Sequence, residues 1–337
     1  MKGFITPSVP FAERRIIEMN RTSVKVSILC LTYNHEQYIK DALYGFLNQK
    51  TNFDYEILVH DDASTDRTQE ILHDFEEKYP EKLSVIYQKE NQYSKGVKIE
   101  EIYQVSRAKG KYIALCEGDD YWIDDFKLQK QFDEMERHPE LDICAHGYIQ
   151  MDCGSKKKTE KVLYSEKTII PVENIIMGGG GYVATNSLFY RKSIHDDEPE
   201  FRKISSLDYT LQVLGSLRGG MLYLPDTMSV YRYMSDGSWS KKMMNNKKRK
   251  LDLNKSWIRL LSQMDMDTGY KYTSQFGKRM LLSCITPYET FSNNLKLLKI
   301  KKNSFHMLSG KQKLVILSKI YCPHLYLFRY GMIVRKY

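Results

Sequence analysis

The chain has 337 residues, 42% hydrophobic and 12% aromatic, enough apolar surface to build a large core and to exclude a disordered chain. Its net charge of +9 is lopsided: residues 241–337 hold 21 Lys+Arg against 4 Asp+Glu, and residues 1–240 hold 30 against 38. An acidic body thus carries a basic tail, for which an anionic partner is expected.

Six scattered cysteines with no C-x-x-C pair argue against a zinc module or a disulfide framework and fit reduced core thiols. The N-terminal "MKGFITPSVPFAERR" lacks a signal-type apolar stretch, and no segment approaches ~18 continuous apolar residues. The expectation is a cytoplasmic chain, peripheral to the inner face of the cytoplasmic membrane.

After a leader over 1–23, "VKVSILCLTYN" is a β-branched and aliphatic run that predicts a strand buried on both faces. It ends in the polar turn "TYNHE". In "EQYIKDALYGFLNQ", Ile39, Leu43, Phe46 and Leu47 fall at helical spacing. "DYEILVHDD" predicts a second strand and "STDRTQEILHDFEEKY" a second helix, with Ser64 or Thr65 at its cap. "LSVIYQ" is a third strand, "IEEIYQVSRAKG" a third helix closed by Gly110, and "KYIALCE" a fourth strand.

Strands alternating with helices predict crossover connections and a mostly parallel sheet, whose ligands bind beyond the carboxyl ends of the strands. The polar clusters "TYN", "HDDASTD" and "EGDD" each follow a strand, so three strands deliver them to one edge. Further on, "DDFKLQKQFDEMERHPE" predicts a helix, "LDICAHGYIQM" a strand and "DCGSKKKTEK" an exposed hairpin or loop. "MGGGGYVATNSLFYRK" joins a glycine loop to a strand, "SLDYTLQVLGSLRGG" is a helix ending in glycines, and "MLYLPDTMSVYRY" reads as a strand pair. Residues from 241 onward are helical, with aliphatic and basic residues interleaved.

Glu117, Asp119 and Asp120 repel one another, and in an apolar surround at least one pKa rises unless a cation or donors compensate. Hard cations such as Mg²⁺ or Mn²⁺ take oxygen ligands, and two acids flanking Gly118 at a strand end can point at one ion. The competing reading is an acidic turn or helix cap before "YWIDDF". "HDDASTD" fails as a calcium loop, because Arg67 stands at the required glycine and His73 at the final Glu. A carboxylate there can instead accept from a base N–H or a ribose hydroxyl. With no G-x-G-x-x-G or G-x-x-x-x-G-K-[ST] in the chain, a bound pyrophosphate needs a metal to neutralise it.

"VSILCLTYNHEQYIKDALYGFLNQ", "EILVHDDASTDRT", "GKYIALCEGDDYW" and "SLDYTLQVLG", in this order, resemble the family 2 glycosyltransferases of bacterial polysaccharide type. The resemblance implies an α/β GT-A nucleotide-diphospho-sugar transferase fold with a mostly parallel central sheet flanked by helices. Its domain spans 24–240, with a nucleotide-binding half over 24–123 and an acceptor half over 124–240, followed by a basic helical region over 241–337. By matching position, Thr32 and Tyr33 lie against the nucleoside, and Asp62 with Asp61 beside it binds the base. Glu117 and Asp119 take the place of the D-x-D metal ligands for Mn²⁺ or Mg²⁺, and Asp120 orients donor sugar or water. Asp208 is the general base; Arg232, Ser238 and Ser240 belong to a segment closing over the pyrophosphate. Met234 stands where the family often has His, and Leu207 replaces the Glu of its "ED" motif.

The expected function is inverting transfer from a nucleotide-diphosphate sugar, UDP-linked, to a hydroxyl of a glycan or lipid-linked saccharide in surface polysaccharide synthesis. A sugar nucleotidyltransferase would share sheet, acids and Mg²⁺, but usually shows a glycine-rich basic loop where this chain has "TYNHEQY". A non-catalytic module that binds nucleic acid or membrane through the basic tail is the third reading. The tail's amphipathic "KLVILSKIY" and "HLYLFRYGMIV" suit a membrane surface or partner helix better than nucleic acid.

Overall fold

The computed structural model describes residues 24–205, 208–235 and 247–335. Strand β1 (Val26–Thr32) pairs in parallel with β2 (Tyr55–Asp61), which pairs in parallel with β3 (Leu83–Tyr87). On its other side β1 pairs in parallel with β4 (Tyr112–Leu115). Helices α1 (Ile39–Leu47) and α2 (Thr68–Lys78) connect the first three strands. Val26, Ile28, Cys30, Ile57 and Val59 on one side of this sheet are fully buried against Ile39, Leu43, Phe46 and Leu72. Each such burial contributes about 1.5–3 kcal/mol. The continuous apolar runs of β1 and β2 are therefore what a sheet covered on both faces requires.

The sheet continues as β9 (Phe189–Arg191), β6 (Ile143–Asp152), β10 (Met221–Tyr233) and the short β5 (Tyr121–Trp122), giving the order β3-β2-β1-β4-β9-β6-β10-β5. Here β9 runs antiparallel to both β4 and β6, while β6 and β10 are parallel. β7 (Lys158–Lys161) extends β6 as a hairpin, and β8 (Thr168–Ile170) pairs with β10. Helices α3 (Lys127–Arg137), α4 (Val172–Gly178), α5 (Glu200–Ile204) and α6 (Asp208–Ser216) pack around this half.

Beyond residue 246 come α7 (Lys247–Asp267), α8 (Thr273–Cys284), α9 (Phe291–Ile300), α10 (Lys302–His306), α11 (Gly310–Tyr321) and α12 (Pro323–Arg335). Leu261 and Met264 of α7 and Phe276 and Met280 of α8 join the core that holds Tyr209 and Ile176. Leu281, Ile285, Leu308, Ile316 and Ile320 form a separate small core for the last helices. Among the described residues no helix is long and apolar enough to cross a membrane.

Four local expectations need correction. Met221–Tyr233 is one long strand, with register shifts around Pro225 and Asp226, not a strand pair. Glu100–Val105 is a π-helical turn, and Gly110 is not its left-handed cap: a Cβ there would collide with the Val26–Ser27 backbone, so glycine lets β1 approach. Neither Ser64 nor Thr65 caps α2; Asp66 accepts from the Thr68 N–H at 2.9 Å. The acidic turn precedes strand β5, so Asp120 caps no helix.

Candidate active site

Thr32 and Asp61 end β1 and β2 in register with each other. Both are buried, and Thr32 Oγ1 and Asp61 Oδ1 have no hydrogen-bond partner among the described residues. Buried polar atoms are paired in the great majority of cases, so these two oxygens at one sheet edge are open to a polar ligand or to water. Asp61 Oδ2 is already engaged, accepting from the Ser64 N–H and the Gln69 amide. Asp62 is placed differently from its neighbour: its two oxygens accept from the Gln92 and Tyr93 N–H groups at 2.7 and 3.0 Å, fixing the loop after β3.

The turns after β1 and β2 brace one another. Asn34, held at a positive φ, receives the Thr65 N–H on Oδ1 and donates its own N–H to Ser64 Oγ; the His35 N–H reaches Thr68 Oγ1. Tyr33 is half-buried within this latch.

The turn after β4 approaches Thr32 closely. A Cβ on Gly118 would lie 2.7 Å from Thr32 Oγ1 and 2.8 Å from its Cβ, so only glycine lets the acidic turn come this close to the end of β1. Ligand oxygens of Glu117, Asp119 and Asp120 then lie within 4.8 Å of one another. Their surroundings differ. Glu117 is solvent-exposed at the rim, and among the described residues its carboxylate accepts no hydrogen bond. Asp119 is buried and accepts from Ser235 Oγ at 2.6 Å. Asp120 is almost wholly buried; Oδ1 accepts from the Arg232 N–H at 2.7 Å and Oδ2 from the Asn186 amide at 3.0 Å. Burial and the Asp119 charge push the Asp120 pKa well up, and the Arg232 N–H opposes them. The cluster fits a hard cation held by Glu117 and Asp119, with Asp120 bracing the turn.

Arg232 is buried between the rings of Tyr38 and Tyr121, its guanidinium 5.0 and 4.4 Å from their centroids. Nη1 donates to the Asp119 carbonyl at 2.8 Å and Nη2 contacts Asp41. It therefore holds the acidic turn from behind. Met234 has a positive φ at the end of β10. Ser238, Ser240 and Leu207 lie outside the described residues. Asp208 opens α6, partly exposed, with Thr185 Oγ1 against its Oδ2.

Sequence reasoning missed Asn186, Ser235, Thr185 and Asp41. Ser235 sits three residues past Arg232 in the segment that the resemblance marks, so attention to the turn after β10 could have found it. Nothing in the local pattern distinguishes Asn186 or Thr185, whose role depends on β9 crossing beside β4.

A parallel β3-β2-β1-β4 edge carrying two unpartnered buried oxygens beside an acidic turn behind Gly118 fits the GT-A class of α/β fold. The chain belongs to glycosyltransferase family 2, whose model, "Glycosyl transferase family 2", matches residues 27–197. It is 36% identical over 215 residues to the uncharacterized protein Rv1520 of Mycobacterium tuberculosis, covering 64% of this chain and 60% of that protein. The chain thus spans less than two thirds of that relative. Over 128 residues it is 36% identical to TuaG of Bacillus subtilis, provisionally named a teichuronic acid biosynthesis glycosyltransferase, covering 38% and 48% of the two chains.

Among solved structures, Staphylococcus aureus TarS residues 1–349 with UDP-GlcNAc superposes with TM-score 0.65 at 16% identity, covering 88% of this chain and 87% of that one. The Pyrobaculum calidifontis mannosyltransferase PcManGT with GDP-Man and Mn²⁺ gives 0.51 at 12% identity, covering 97% and 87%. At these identities the likeness establishes the fold.

Proposed function

We propose that the chain moves a sugar from a nucleotide-diphosphate donor, UDP-linked, to a hydroxyl of a glycan or lipid-linked saccharide, with inversion, in surface polysaccharide synthesis. The observation that carries this is the meeting of the Thr32 and Asp61 orphan oxygens with the Glu117, Asp119 and Asp120 cluster at one sheet edge. The names of TuaG and of the TarS and PcManGT complexes support it.

On this reading Thr32 Oγ1 and Asp61 Oδ1 hydrogen-bond the nucleoside, Tyr33 lies against it, and Asp62 acts through the loop it fixes. Glu117 and Asp119 hold a Mn²⁺ or Mg²⁺ ion, which when bound neutralises charge on the diphosphate. Asp120 keeps lone pairs for the donor sugar while it positions Asp119, and Arg232 secures the turn beneath the diphosphate. Asp208 accepts the proton of the acceptor hydroxyl as its oxygen attacks the anomeric carbon; the bond to the diphosphate breaks on the opposite face, and the diphosphate leaves with the bonding pair.

Residues 24–123 serve as the nucleotide half, 124–240 as the acceptor half and 241–337 as a basic helical region. That last region exposes Leu314, Tyr321, Leu325 and Phe328 among its lysines, a pattern suited to an anionic membrane surface. The test is nucleotide release from a panel of UDP-, GDP- and dTDP-sugars, with Mn²⁺ and with EDTA. Metal-dependent turnover of one UDP-sugar is expected. Failure of every donor to bind would overturn the assignment.

A further inference from the structure

Between the β6–β7 hairpin and the glycine loop after α4 lies an open groove of about 340 Å³, a volume typical of small-ligand sites. Tyr148 and Gln150 of β6, Lys161 of β7 and Tyr182 line it. Lys161 stands opposite Tyr148 in the hairpin register, so the two side chains share a face.

Tyr182 is held firmly. Its hydroxyl lies 3.2 Å from that of Tyr164, and a Cβ on Gly178 would collide with its ring. Gly179 has φ +73, and a Cβ there would strike the Arg279 guanidinium of α8. The four-glycine run is thus pressed between Tyr182 and Arg279, and it seats an aromatic wall.

One wall of the groove is tied to the acidic turn: Tyr148 stands in register with Ser229 of β10, whose hydroxyl donates to Asn186, and the Asn186 amide donates to Asp120. Glu160 and Lys161 both line the groove, and the lysines of the hairpin outnumber that acid. Lys156, Lys157, Lys158 and Lys161 are exposed, and none of them forms a salt bridge among the described residues. Glu160, the acid beside them, is engaged by the Thr227 hydroxyl at 2.6 Å.

We propose that this groove binds the acceptor, and that the acceptor is an anionic glycan whose sugar or polyol units lie on Tyr148 and Tyr182 and whose acidic group meets Lys161. Tyrosine offers an apolar face to the carbon skeleton and a hydroxyl to its oxygens, and an unpaired ammonium selects for negative charge. The proposal rests on the glycosyltransferase reading above.

The test is calorimetry on the full chain saturated with UDP and Mn²⁺, titrated with oligogalacturonate, oligo(glycerol phosphate) or malto-oligosaccharides. One anionic oligomer should bind at least about tenfold more tightly than the neutral one, the carboxylate and phosphate arms telling which acid is read. Lys161→Glu and Tyr182→Ala should each weaken that oligomer about tenfold or more, with UDP affinity unchanged. Lys161 is exposed, so its variant does not threaten the fold. Equal binding of neutral and anionic oligomers, no oligomer binding to the UDP-loaded chain, or wild-type affinity in Lys161→Glu would overturn the inference. Absence of UDP binding to the wild type would overturn the donor reading instead.

Discussion

The Asn186 side chain joins Asp120 to β10: its amide donates to Asp120 Oδ2 and to the Val230 carbonyl, each at 3.0 Å, while its Oδ1 accepts from Ser229 Oγ at 2.7 Å. Every polar atom of a fully buried amide is thus used, and the acidic turn is fixed to a strand more than a hundred residues away. Asn186→Ala leaves Asp120 Oδ2 and Ser229 Oγ without this partner, which costs about 1–3 kcal/mol. Urea unfolding should show that loss. UDP affinity in Mn²⁺ should fall with it, because Asp119 moves with its neighbour.

The metal assignment makes a graded prediction. Asp119→Asn removes a charged ligand and should abolish the Mn²⁺-dependent part of UDP binding, the same part that EDTA removes from the wild type. Ser235→Ala removes only the hydroxyl that orients Asp119 at 2.6 Å and should weaken Mn²⁺-dependent binding about 10-fold. Calorimetry with UDP, with and without Mn²⁺, checks both. Equal EDTA sensitivity in Asp119→Asn and wild type would remove Asp119 from the ligand set.

What was legible in the chain follows from range. Apolar runs and 3.6-residue spacing are local signals, so β1 to β4 and their helices could be read directly, and the rule that ligands sit beyond strand ends gathered Thr32, Asp61 and the acidic turn. Gly118 was legible as a close-approach position because its flanking acids needed one. The two roles of the acids were not, because Asp120 is tied to Asn186 and Arg232 by one bond on each oxygen, partners set by the order in which β9 and β10 join the sheet. Likewise "HDDASTD" shows two adjacent aspartates, and only the loop after β3 reveals that Asp62 is occupied while Asp61 keeps a free oxygen. The glycine run reads locally as no more than a loop before a strand for the same reason: Arg279, which presses on it, is a hundred residues downstream.

Asp208 is expected to separate transfer from binding. As general base it acts only on the acceptor hydroxyl, so Asp208→Asn should lower transfer about 10²–10⁴-fold while leaving UDP affinity near the wild-type value. Thr185→Val, which removes the hydroxyl against Asp208 Oδ2, should give a smaller loss of the same kind. Transfer rates alongside UDP titrations make the comparison. Undiminished transfer in Asp208→Asn would place the base elsewhere.

Lys127 gives a pH signature remote from the acids. It is fully buried, its Nζ donating to Gln131 Oε1 at 2.7 Å and lying 4.0 Å from the centre of the Trp122 ring. Burial pulls its pKa from 10.5 down to about 7, only partly opposed by Cys116, Cys144 and Asp124. The sign follows from linkage. Between about 7 and 10.5 the unfolded chain still holds the proton that the folded chain has released, so raising the pH through this window stabilises the fold. Below the window both states are protonated and the full cost of burying the charge is present. Lys127→Met removes the titrating group and the cost together, so wild-type stability measured against this variant should rise steadily with pH across the window. Urea unfolding of both proteins at several pH values tests it. Parallel curves would show that the Lys127 ammonium keeps an ordinary pKa through its contacts with Trp122 and Gln131.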